Sequence, residues 1–124
     1  MGDLRWGKRH WELPPRKLAL HHPNRVNYYL LGLDLLENHC WKGASQALET
    51  ACNQQQQPGD AHFWRAWLEF RFGNLAAAEL HLDRAADRRT QYTREIQALR
   101  KEIYLQRQQQ RSIWQRLRAF LKVA

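Results

Sequence analysis

With 124 residues, 44% of them apolar and 11% aromatic, the chain has material for one packed domain and falls outside the disordered class. No apolar run reaches the ~18 residues that a membrane span needs, and "MGDLRWGKRH" lacks the apolar stretch of a signal peptide, so a cytoplasmic location, peripheral to a membrane complex at most, is expected. The net charge of +8 is unevenly spread: residues 1–24 carry +3, residues 25–87 carry −3 and residues 88–124 carry +8, so the two ends meet any anionic partner.

Residues 1–24 hold Trp6, Trp11 and the tandem Pro14-Pro15 and show no helical period. Consecutive prolines favour extended backbone. An extended basic arm is expected, either strapped over a surface with Trp6 and Trp11 as anchors or left as a disordered tail.

From residue 25 the pattern becomes helical. Asn24 follows a proline and can cap a helix running to about Asn38, and Asp60, after Pro58-Gly59, can cap another running to about Phe72. Further helices are expected to begin near Lys42 and Asn74, with Gly73-Asn74 as turn chemistry between partners. Shifting the sequence by 34 residues lays Tyr29 on Phe63, Leu30 on Trp64, Gly32 on Ala66, Leu33 on Trp67 and Leu36 on Phe70. The same shift lays Trp41 on Leu75, Ala44 on Ala78, Leu48 on Leu82 and Ala51 on Ala85. Self-similarity at this period is the mark of a helix-turn-helix repeat, here over residues 25–58 and 59–89. Antiparallel helices approach to ~8–10 Å only across small residues, which gives Gly32, Ala44, Ala66 and Ala78 their purpose as points of close approach.

In "YYLLGLDLL…ASQALETA", Tyr28, Leu31-Gly32, Ala44, Leu48 and Ala51 follow one another as aromatic, Leu-Gly, small, large and small. At these residues the chain resembles the tetratricopeptide repeat family. "GNLAAAELHLDRA" fits as well, whereas Arg65 and Glu69 stand where the family prefers Leu and an aromatic, and Pro58 closes the first unit two residues late. The resemblance implies a short α-solenoid serving as a protein-interaction scaffold. It also implies a concave groove lined by Tyr29, Leu33 and Leu36, then Phe63, Trp67 and Phe70. Each trio is an i, i+4, i+7 stripe, so something covers it: the chain's own terminal helix or arm, or a partner's helix or extended peptide. Two units fall short of the ~3 a solenoid needs, so an extra helix, a second copy of the chain or a partner supplies the missing neighbour.

The terminal segment 90–124 continues with Tyr92, Ile96, Leu99 and Ile103 at alternating spacings of four and three, then Gln106 and Gln110, then Ile113, Leu117 and Phe120. Its first half is expected to dock. Ser112 with Gln115 forms a capping box, so the segment is either one long helix leaving the body near Arg107 or is broken at about residues 108–112. The last part sets Trp114 and Phe120 on an apolar side and Arg107, Arg111, Arg116 and Arg118 around it as a basic surface. That pattern fits a core-docked helix with a solvated face, a partner-docking helix, a helix on an anionic membrane, or a nucleic-acid contact.

No nucleophile with its base, phosphate-binding glycine loop or metal knuckle is present; Asp34 with Glu37 is the spacing of a solvated helix face, and Cys40 and Cys52 read as buried thiols. The expectation is an all-α, non-enzymatic adaptor, chaperone or assembly factor without metal or cofactor. Its alternative is a peripheral membrane- or nucleic-acid-associated protein acting through the basic terminal helix.

Overall fold

The computed structural model describes residues 3–6, 9–12 and 26–123. Near the N-terminus, β1 (Asp3–Trp6) and β2 (Arg9–Glu12) pair antiparallel, with Leu4 opposite Trp11 and Trp6 opposite Arg9. The two short strands thus run in opposite directions, where an extended arm was expected. Pro14-Pro15, the expected cap Asn24 and the surroundings of the Trp6 and Trp11 side chains lie outside the described residues.

The rest is helical: α1 (Tyr28–Glu37), α2 (Trp41–Asn53), α3 (Pro58–Arg71), α4 (Leu75–Ala86) and α5 (Thr93–Val123). The two hairpins, α1–α2 and α3–α4, repeat the same geometry. Their inner ends fall 34 residues apart, Glu37 with Arg71 and Trp41 with Leu75. Their turns share the same closing bond. Cys40 N–H donates to Leu35 O at 2.8 Å and Asn74 N–H to Glu69 O at 2.8 Å, while the intervening His39 and Gly73 both take the left-handed conformation, with φ 60° and 83°. This is a helix stop with a 6→1 bond, shared by the two hairpin turns and used again at the end of α2, where Gln56 N–H donates to Ala51 O at 2.8 Å after Gln55 at φ 58°.

Two starts differ from the sequence expectation. The cap of α1 is Asn27, whose side chain accepts from Leu30 N–H at 3.0 Å, and Gln56 Oε1 accepts from Tyr28 N–H at 2.6 Å, so two of the first-turn amides find partners. In α3, Pro58 occupies the first turn, where its missing N–H costs nothing, and Asp60 lies within the helix. The Asp60 carboxylate accepts from Thr90 Oγ1 at 2.6 Å, Gln91 N–H at 3.1 Å and Gln91 Nε2 at 3.1 Å, fastening the segment between α4 and α5 onto the start of α3.

The core is a single cluster running from Tyr29 to Ile103. Ala44, Ala51, Ala66, Ala78 and Ala85 are fully buried, as a close-packed hairpin requires. Gly32 meets Leu48 rather than Ala44: a Cβ built on it would lie 2.7 Å from Leu48 Cδ2. α3 is the middle of the bundle, packed against α2, α4 and α5. Among the described residues no helix is long and apolar enough to cross a membrane.

Candidate functional site

The expected groove is closed. Tyr29, Leu33, Leu36, Phe63, Trp67 and Phe70 are all buried and form the core itself. Phe63 stacks on Tyr92 of the segment leading into α5 at 4.5 Å, and Trp64 sits edge-on to Phe63, Trp67 and Tyr92 at 5.1, 5.9 and 5.5 Å. Trp41 lies 6.0 Å from Trp67, and the Arg71 guanidinium rests over both rings at 4.6 and 5.6 Å. With two hairpins, the stripe that would line a concave face is instead the interior. Burial, then the charge of Tyr92, push the Tyr29 hydroxyl well above its ordinary range.

The sequence left the covering element open, and α5 is part of it. Tyr92, Ile96, Leu99 and Ile103 are buried, and Arg100 and Arg107 bind Asp83 and Glu79 of α4 at 2.9 and 3.1 Å. Arg107 is therefore a fastening of α5 to the body and does not belong to the free basic surface to which the sequence assigned it. No break follows at residues 108–112: α5 is one helix of 31 residues, and Ser112 is internal to it.

Beyond Arg107 the helix leaves the body. Ile113, Trp114, Leu117, Phe120 and Leu121 are each between 45% and 71% exposed, and Arg111, Arg116, Arg118 and Lys122 are exposed beside them. Of the sequence-nominated site residues, Arg111, Trp114, Arg116, Arg118 and Phe120 thus come together on one accessible surface, while the six groove residues do not.

Two features had no signal in the sequence. An open depression of about 460 Å³, lined by Trp41, Lys42, Ser45, Leu68, Glu69 and Phe72, lies where α2 meets the end of α3. Phe72 is exposed, and the Trp41 edge of the depression carries His39 stacked on it at 5.0 Å. Across α3 and α4, His62 Nδ1 and His81 Nδ1 stand 3.2 Å apart in the interior. Burial first, then the positive charge of Arg65, holds both imidazoles down at about 4, where they are neutral at ordinary pH. Residues 19 apart on different helices leave no local pattern.

Among the described residues no group of three or more His, Cys, Asp or Glu is placed to hold a metal ion. Cys52 is buried and its thiol is pushed up by that burial; Cys40, expected to be buried, is exposed at the turn of the first hairpin. Comparison with protein-family models, with curated proteins and with solved structures found no match for this chain.

Proposed function

We propose that this protein is a non-enzymatic docking module of the adaptor or assembly-factor kind, and that its docking element is the outer half of α5. The paired hairpins, with their 34-residue period and their duplicated turn, support a tetratricopeptide-like arrangement in which α5 plays the closing helix. In that arrangement the repeats act as a scaffold, since their apolar stripes are consumed in the core.

One observation carries the reading: five large apolar side chains on the outer half of α5 remain exposed on a helix whose inner half is packed with the same kind of residue. Contiguous apolar surface of this sort marks an interaction site. Its basic flanks speed and orient the encounter with an acidic surface. Capture of binding targets by the full chain and by a Leu117→Glu, Phe120→Glu variant tests it, with circular dichroism to show that the body still folds. The variant is expected to lose its targets while keeping its helix content and melting temperature. Retained capture by the folded variant would refute the assignment.

A further inference from the structure

The outer half of α5 has a sided geometry that specifies its target. At 100° per residue, Phe120, Ile113, Leu117, Leu121 and Trp114 fall within an arc of about 120°. Arg118, Arg111 and Lys122 follow at one edge, next to Trp114, and Arg116 stands beyond the other edge. No acidic residue occurs after Glu102, so the segment is purely cationic. Gln106 and Gln110 interrupt the stripe that begins at Tyr92, which makes the outer patch a unit of its own, three turns long.

We propose that this half-helix lies flat in the headgroup layer of an anionic membrane. The apolar arc sinks among the upper acyl chains, Trp114 sits at the boundary, and Arg111, Arg116, Arg118 and Lys122 reach sideways to lipid phosphates and carboxylates. The proposal rests on the outer half of α5 being the docking element. Charge argues against the chain's own parts as occupants: residues 1–24 carry +3, and a second α5 would bring the same cations into contact. Shallow insertion into lipid needs only an amphipathic face and a field of opposite charge. Nucleic acid would meet the arginines but leave Ile113, Leu117 and Phe120 in water.

Flotation of the full chain with vesicles tests this, comparing phosphatidylcholine alone with phosphatidylcholine plus phosphatidylserine. Binding is expected only in the presence of phosphatidylserine and is expected to weaken as salt rises from about 0.1 M to about 0.5 M. Each of Arg111→Gln, Arg116→Gln and Arg118→Gln should cost about fivefold in partition. Leu117→Ser with Phe120→Ser should abolish retention on anionic vesicles, while Phe72→Ser, at the exposed aromatic of the body, should leave it unchanged. Absence of flotation with full capture of a protein through Leu117 and Phe120 would overturn the lipid proposal and leave the docking reading standing. Absence of both would sink the two together. Flotation that needs the arginines but ignores Leu117 and Phe120 would overturn insertion as well.

Discussion

Placing a methyl group on Gly32 tests the close approach at the centre of the first hairpin. A Cβ there would lie 2.7 Å from Leu48 Cδ2 and 2.8 Å from Leu48 Cγ, about 1 Å inside normal contact. Leu48 is fully buried, so it has no solvent to retreat into. Overpacking of this kind costs ~1–3 kcal/mol, offset by up to ~1 kcal/mol from the better helix propensity of alanine. A net loss of roughly 1–2 kcal/mol is expected for Gly32→Ala. For a body of this size each kcal/mol moves the melting temperature by roughly 4–5 °C, so the fall should be about 4–10 °C. Urea unfolding of Gly32→Ala, Leu48→Ala and the double variant gives the coupling. Leu48→Ala alone should cost ~3 kcal/mol through its cavity. The double variant should be more stable than the sum of the two losses by at least ~1 kcal/mol, because the new methyl fills part of that space. Additive losses, or a Gly32→Ala protein as stable as the parent, would refute the packing described here.

Three further outcomes follow from particular residues. His62 and His81 titrate near 4 in the fold against about 6.5 when unfolded, so the unfolded chain takes up protons that the folded one refuses. Stability is full above about pH 6.5 and falls as the pH drops towards 4, by roughly 1 kcal/mol per pH unit per ring at most; urea midpoints at several pH values should show it, and His62→Leu with His81→Leu should flatten the curve. An unchanged slope in that variant would assign the acid sensitivity elsewhere. At Gly73 a built Cβ meets nothing within 4 Å, so Gly73→Ala reports the left-handed backbone alone: about 1 kcal/mol lost, part of it restored in Gly73→Asn, read by thermal melts. Asp60→Ala removes three hydrogen bonds to Thr90 and Gln91 and should cost roughly 3 kcal/mol, with amide exchange in residues 90–103 rising; a loss below ~0.5 kcal/mol would contradict the role given to that carboxylate.

The hairpins were legible because their signals are local and redundant: Ala44, Ala51, Ala78 and Ala85 repeat at helical spacing, and Gly73 marks a turn. The partner of a stripe is not local. Tyr29, Leu33 and Leu36 announce that they must be covered, yet nothing in their spacing separates a groove from an interior; Tyr92 stacking on Phe63 decides it. Of the two courses open to the terminal segment, the unbroken helix is the one found, for another reason. A capping box starts a helix only where the preceding residues stop one, and the glutamines and arginines of 106–111 are good helix formers that carry α5 straight through. His39 shows the converse, a left-handed turn residue without glycine, with its ring stacked on Trp41. The exposed arc of α5 was visible as a pattern; only the body's extent shows that it is left uncovered beyond Arg107.

Hydrogen exchange along α5 in the free 124-residue chain asks whether its outer half has any cover within the chain. Amides of residues 96–103, packed on α3 and α4, should exchange with the protection of the core, and those of residues 108–122 should exchange orders of magnitude faster, held only by their own helical ladder. Equal, core-like protection along the whole helix would mean that another part of the molecule already occupies the face of Trp114, Leu117 and Phe120, and the docking role assigned to it would fall.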